Sequence, residues 1–150
     1  SEEGEAAVER AMLAAQSHDL SERRFDHLSG GEQARVHLAR ALTVDAPVLL
    51  ADEPAASLDP YYQLTIMQTL AAEAASGKTV IASMHDLQLA RQYCSRIWVL
   101  HDGHLVEDAP PSHALSQGVL ADVFRVRHTE NGYAPNAQTK AKSLQARQAL

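Results

Sequence analysis

One cysteine, Cys94, stands among 150 residues, so no disulfide can close within the chain. A single thiol fits a reducing cytosol, and Cys94 reads as a small buried apolar residue rather than a reactive one. No apolar run approaches the ~20 residues that a membrane-spanning helix needs. Excess positive charge is missing too. Thirteen Lys and Arg face nineteen Asp and Glu, a formal net charge of −6, which disfavours a nucleic-acid partner held by bulk electrostatics. The first residues, Ser1-Glu2-Glu3-Gly4-Glu5, are acidic where a secretory leader is basic. No internal repeat is visible. What is present is ordinary for one globular domain with a core: 45% hydrophobic residues over a length that suggests a single domain.

The stretch that organises the chain is Leu28-Ser29-Gly30-Gly31-Glu32-Gln33. A Ser and two glycines lead into a helical run, Gln33 to Leu42, that Glu32 opens. Such a turn points free N–H groups outward at the positive end of a helix dipole, which makes an anion seat. The plainer alternative is a Gly-Gly turn with no ligand.

Alternating elements follow. Glu5 to Gln16 reads as an amphipathic helix with Val8, Met12 and Ala15 on one face, and residues 17–27 are polar and irregular. Val36, Ala39 and Leu42 line the next helix, which Asp45-Ala46-Pro47 stops. Val48–Ala51 is continuously apolar, as in a central parallel strand covered on both faces. Tyr61 to Ala75 is a helix with Leu64, Met67, Leu70 and Ala71 as its inner stripe and Gly77 at its C-terminal end. Thr79 to Met84 is a strand, and Asp86 to Tyr93 a helix that Asp86 can cap. Arg96–Leu100 and Leu105–Glu107 flank Asp102-Gly103, a hairpin turn. Short helices follow near Ser112–Leu115 and Val119–Phe124. Beyond Val126 the pattern fades: Asn131–Pro135 is loop-like, and Lys140–Leu150 is a loose helix or a tail. Strands alternating with helices predict an α/β fold with a mainly parallel sheet flanked by helices.

Chemistry-bearing residues sit at the strand ends. Val48-Leu49-Leu50-Ala51 runs into Asp52-Glu53-Pro54, with Ser57-Leu58-Asp59-Pro60 just beyond, and Val80-Ile81-Ala82-Ser83-Met84 runs into His85-Asp86. An acidic pair ending a strand can be an ordinary solvated loop, and Ser57–Pro60 can be a plain N-cap and turn. His18, His27, His37, His113 and His128 read as surface residues, and His101 and His104 as solvated turn residues rather than a metal pair. In this order and at this spacing, however, the motifs resemble the C-terminal half of an ABC-type ATPase nucleotide-binding domain, over about residues 18 to 126. Leu28–Gln33 resembles that family's signature, Val48–Glu53 its Walker B strand with the catalytic glutamate, Ser57–Asp59 its D-loop and His85 its switch histidine.

The resemblance implies a P-loop NTPase-like fold divided as 1–27 (remainder of a helical subdomain), 28–126 (C-terminal half of the ATPase core) and 127–150 (a loosely ordered tail). It implies ATP and Mg²⁺ as ligands. Asp52 meets Mg²⁺ through a water, because that ion keeps part of its hydration shell. Glu53 polarises the attacking water as general base. His85 touches the γ-phosphate. Ser29, Gly30, Gly31 and Glu32 form a seat for the γ-phosphate of a nucleotide held mainly by a second ATPase subunit in a homodimer, and Asp59 reaches across that interface.

Other features of the family are missing from the chain. No G-x-x-x-x-G-K-[ST] loop is present. Gly77-Lys78-Thr79 lacks the first glycine, since Ala72 stands there, and it has a helix before it and a strand after it. No Q-loop can be placed before Leu28. The sequence therefore reads as a piece of a longer or split protein, with little or no ATPase activity alone. His85-Asp86-Leu87-Gln88-Leu89-Ala90, Asp102-Gly103 and Pro110-Pro111 resemble importers for iron chelates, haem and vitamin B12. Ala51 and Ala55-Ala56 depart from the usual pattern without removing a required charge. A multi-span permease, and indirectly a periplasmic or surface substrate-binding protein, are the partners this implies, with the subunit on the cytoplasmic face of the membrane. A non-transport ABC ATPase, marked by tandem domains or long heptads, and a non-catalytic dimerising or regulatory remnant are the alternatives.

Overall fold

The computed structural model describes residues 2–136; the Lys140–Leu150 segment, expected as a loose helix or tail, lies outside them. The chain divides into two compact units between His85 and Asp86, a different division from the three segments expected from sequence. Among the described residues no helix is long and apolar enough to cross a membrane.

The first unit runs α1 (Glu2–Ala14), two short 3₁₀ turns (His18–Leu20 and Phe25–His27), α2 (Gly30–Leu42), β1 (Val48–Asp52), α3 (Pro60–Ala75) and β2 (Thr79–Ser83). Helix α1 buries Ala11, and Ala15 just beyond its end is buried too, while Val8, expected on its inner stripe, is half exposed. The last carbonyls of α1 are met mostly by the backbone that follows it, Ala11, Leu13 and Met12 by the N–H groups of Ala15, Gln16 and Ser17, while two further carbonyls, Ala14 and Gln16, are met by side chains from elsewhere in the unit. The Thr69 hydroxyl of α3 lies 3.1 Å from the Ala14 carbonyl, and the buried Arg35 guanidinium of α2 donates to the Gln16 carbonyl. The same guanidinium lies 5.3 Å from the centre of the Tyr62 ring, a cation–π arrangement.

Helix α3 starts at Pro60, whose fixed φ and missing N–H suit the first helical position. Its buried residues are Thr65, Ile66, Met67, Thr69 and Leu70. Leu64, expected inside, is exposed. The two threonines can face inward because their hydroxyls reach backbone carbonyls, Thr65 to Tyr61 at 2.9 Å and Thr69 to Thr65 at 3.0 Å. At the far end Gly77 takes φ +102°, the Gly77 N–H donates to the Ala74 carbonyl and the Lys78 N–H to the Glu73 carbonyl, which is a Schellman ending.

Strands β1 and β2 pair in parallel, Val48 opposite Thr79 through Asp52 opposite Ser83. Burial alternates along both. One face of this pair, Val48, Leu50 and Ile81, is exposed, Leu50 at 72%. This corrects the expectation of a strand covered on both faces: an unbroken apolar run does not say which faces are covered, and nothing among the described residues of this unit covers that one.

The second unit holds α4 (Leu87–Tyr93), β3 (Ile97–His101), β4 (His104–Ala109), α5 (Pro111–Ala114), α6 (Gln117–Asp122), β5 (Val126–Thr129) and β6 (Gly132–Pro135). The Asp86 carboxylate accepts from the Gln88 and Leu89 N–H groups and caps α4, as expected. Strands β3 and β4 form an antiparallel hairpin closed by Asp102 and Gly103, both at positive φ, the two-residue turn that an Asp-Gly pair favours. Val99, Ala109 and Ala114 form a small core under this hairpin. Strands β5 and β6 pair antiparallel, Val126 opposite Pro135, so Asn131–Pro135 is a turn and a strand rather than the expected loop. Arg91 secures this hairpin: it donates to the Leu115 carbonyl at 2.9 Å and to the Tyr133 hydroxyl at 3.3 Å. The fold is α/β, with its parallel pairing in β1–β2 and antiparallel hairpins in the second unit.

Candidate functional site

The parallel register brings three of the expected residues together. Asp52 ends β1, Glu53 follows it, and His85 stands two residues beyond Ser83, the partner of Asp52 across the ladder. His85 Nε2 lies 2.7 Å from Glu53 Oε1. An ionised carboxylate only accepts, so the imidazole N–H donates across this contact. Both groups are open to solvent, the His85 side chain at 87% and Glu53 at 45%. Ligands in open α/β sheets bind outside the carboxyl ends of the strands, and these side chains project there.

Glu53 leaves the strand abruptly. Its φ is +46°, in the left-handed region that costs a residue with a side chain about 1–2 kcal/mol. Its N–H is held by Ser83, 3.1 Å from the carbonyl oxygen and 3.0 Å from the hydroxyl. The same Ser83 hydroxyl lies 2.5 Å from Asp52 Oδ1.

Ser29 is the N-cap of α2, and the helix begins at Gly30, three residues earlier than expected. Glu32 does not merely open the helix: it closes a capping box. The Ser29 N–H donates to Glu32 Oε2 at 2.8 Å, and the Glu32 N–H to the Ser29 hydroxyl at 3.4 Å. Ser29 and Glu32 thus satisfy each other, and the N–H groups of Gly30 and Gly31 are those left over at the helix mouth. Gln33 braces the preceding turn, its side-chain amide donating to the Leu28 carbonyl at 3.1 Å and the Phe25 carbonyl at 3.3 Å. Gly30 is exposed, whereas Gly31 is buried. A Cβ on Gly31 would stand 2.2 Å from Tyr62 Cδ2, so the glycine is required by packing as well as by any ligand. Asp59 is the N-cap residue of α3, but its side chain makes no capping bond. Among the described residues no hydrogen bond joins the Ser29–Glu32 group to the Glu53–His85 group.

The Ser29 N–H, and after it the Arg23 guanidinium at 2.6 Å, hold the Glu32 carboxyl below its usual range. A carboxyl depressed by folding contributes stability above its unfolded value, about 4.3, and loses that contribution as the pH falls through the lower folded value. Glu32→Gln keeps the capping geometry and removes the charge. We therefore expect the Gln chain to lose less stability than the parent between about pH 5 and 3, read from urea midpoints at each pH.

Gly77-Lys78-Thr79 is the end of α3 and the start of β2. Lys78 Nζ is committed to Asp45 at 2.7 Å and Glu73 at 2.6 Å, and these carboxylates raise its pKa. That agrees with its dismissal as a phosphate loop. Cys94 is half-buried rather than buried as expected, and that partial burial raises its thiol pKa. No group of three or more His, Cys, Asp or Glu that could hold a metal occurs among the described residues, His101 and His104 included.

Two residues were missed. Ser83 carried a weak sequence signal, a polar residue near the end of an apolar run, but its partner depends on strand register. Tyr62 carried none, because its ring meets Gly31 only through the packing of α3 on α2.

The ABC transporter family model matches residues 2–56. The hemin import ATP-binding protein HmuV of Streptomyces coelicolor is 42% identical over 123 residues, 82% of this chain and 44% of that protein. HmuV of Nocardia farcinica is 42% identical over 118 residues, 79% of this chain and 41% of that protein. The phosphonates import ATP-binding protein PhnC of Stutzerimonas stutzeri is 45% identical over 120 residues, 79% and 42% respectively. Among solved structures, a putative metal-chelate type ABC transporter in an inward-facing conformation matches with a TM-score of 0.77 at 19% identity, over 90% of this chain and 58% of that one, a likeness of fold alone. The ATP-binding cassette MJ0796, dimeric in a post-hydrolysis state with ADP and Pi, matches with a TM-score of 0.60 at 35% identity, over 68% of this chain and 44% of that one. The chain spans under half the length of these curated relatives. Strand-tip acids beside an imidazole, a capped Ser-Gly-Gly helix mouth and these likenesses agree: the chain belongs to the ABC transporter ATP-binding family.

Proposed function

We propose that this chain supplies the hydrolytic acids and the signature seat of an ATP-binding subunit in an ABC importer, and that the cargo is haem or an iron chelate. The observation that carries the reading is the 2.7 Å contact between Glu53 and His85 at adjoining tips of two parallel strands. Glu53 is the general base: it accepts a proton from the water that attacks the terminal phosphate of ATP. His85 orients Glu53 through Nε2, and its exposed ring can turn a donor toward the phosphate. Asp52 is an exposed carboxylate at a strand end, a hard oxygen donor that fits Mg²⁺. Bound there, the ion supplies charge neutralisation for the transferred phosphoryl group.

The N–H groups of Gly30 and Gly31, left over by the Ser29–Glu32 box, point at the phosphate of a nucleotide on a second copy of the subunit. Asp59, uncommitted at the start of α3, faces that copy. Each copy then completes the other's site. A multi-span permease is the further partner, with a substrate-binding protein acting through it, and the subunit lies on the cytoplasmic face of the membrane. The hemin import relatives and the His85–Ala90 run support the cargo; the phosphonate import relative supports a different one.

Reconstitution tests both. A cassette containing this chain, set with its permease in proteoliposomes, is expected to take up haem only with MgATP. Uptake of a phosphonate in place of haem moves the cargo, and turnover indifferent to any permease removes the importer reading.

A further inference from the structure

We propose that Ser83 is a positioning residue for both acids at the strand tip, its hydroxyl hydrogen going to Asp52 and its lone pair to the backbone of Glu53. The role rests on the reading of Asp52 and Glu53 given above, and in it Ser83 touches neither nucleotide nor reacting atom.

A hydroxyl has one hydrogen to give and two lone pairs. A carboxylate can only accept and an amide N–H can only donate, so the chemistry of the two partners fixes the direction of both bonds. Ser83 Oγ lies 2.5 Å from Asp52 Oδ1 and 3.0 Å from the Glu53 nitrogen. Its carbonyl oxygen takes the same N–H from 3.1 Å. The parallel register puts Ser83 opposite Asp52, one residue before the chain turns at Glu53. There the backbone enters the left-handed region, at φ +46°, which a glutamate does not favour by itself. Two acceptors on one residue hold that turn, and the turn sets the direction from which the Glu53 side chain reaches His85 Nε2. Serine is the smallest residue that can do this. Alanine keeps the strand and loses both hydroxyl bonds; threonine keeps the hydroxyl. Ser83 is exposed, so neither change empties a core.

The test compares the full 150-residue chain with its Ser83→Ala and Ser83→Thr variants by NMR. In Ser83→Ala the Glu53 amide is expected to exchange about fivefold faster, the loss of one net hydrogen bond, and the Asp52 carboxyl carbon resonance is expected to move. In Ser83→Thr both are expected to stay near the parent, and the Met67 and Leu70 amides of α3, which report the fold, are expected to hold in all three. Equal Glu53 exchange in the three chains, or a threonine variant that behaves like the alanine one, overturns the proposal. A cassette completed with a phosphate-loop half gives the second readout: about a tenfold fall in kcat for Ser83→Ala with KM for MgATP held, recovered in Ser83→Thr, the pattern of a mispositioned base. A loss confined to KM overturns the positioning role. If Glu53→Gln leaves turnover intact in that cassette, the reading beneath fails instead, and the exchange comparison still decides whether Ser83 sets the two acids.

Discussion

Glu53→Gln is expected to lower MgATP turnover by about 10²–10⁴-fold in a cassette in which this chain is joined to a phosphate-loop half, the usual contribution of a positioned general base. Glutamine preserves the size of the side chain and leaves an oxygen for the His85 N–H, so the strand-tip geometry survives while the basic group is lost. The change should therefore appear in kcat, with the KM for nucleotide little altered. The unjoined 150-residue chain is expected to show no turnover above buffer. Its Gly-Lys-Thr is spent on a helix ending, with Lys78 paired to Asp45 and Glu73, and no other stretch offers backbone amides and a lysine to the β- and γ-phosphates. Phosphate-release assays on both proteins check this. Turnover by the chain alone, abolished by Glu53→Gln, would overturn the account of two half-sites.

The second large effect is on stability. Gly31→Ala places a methyl 2.2–2.6 Å from three atoms of the Tyr62 ring, closer than any real contact, so ring or helix must shift. Overpacking of this kind costs about 1–3 kcal/mol. Gly30→Ala, one residue away, meets nothing within 4 Å and is expected to change stability by no more than about 0.5 kcal/mol. The contrast separates the two glycines of one motif: Gly30 needs its bareness only for what approaches from outside, Gly31 for what lies beneath it. Tyr62→Ala is itself destabilising, since it removes ring area and the Arg35 contact. Joined with Gly31→Ala, however, the two costs should fall short of their sum by about 1–3 kcal/mol, because the clash disappears with the ring. Urea unfolding of the four chains measures this coupling. Additive costs would show that the ring gives way freely and that Gly31 is not a packing glycine.

Under the proposed function this coupling has a second consequence. Tyr62 stands three residues after Asp59 and packs against Gly31, so a shift of the ring that spares the fold is expected to move the Gly31 N–H, and the proposed binding of phosphate from a second copy is expected to weaken even where stability recovers.

What could be read along the chain was what neighbours within about five residues decide. The Asp86 cap, the Gly77 ending and the Asp102-Gly103 turn all follow from backbone conformations and donors available locally. So did the placing of Asp52, Glu53 and His85 at the ends of apolar runs, and their family. The tertiary structure alone decided which runs pair and in what register, and from that came Ser83 between two acids 30 and 31 residues away. It decided that α3 turns Thr65 and Thr69 inward and Leu64 out, because carbonyls at Tyr61, Thr65 and Ala14 were there to receive the hydroxyls. It paired Val126–Thr129 with Gly132–Pro135, which carried too little periodic apolar signal to read as strands. Hydrogen bonds and ring contacts between distant segments exist only once the chain has folded, and a one-dimensional pattern holds no record of them.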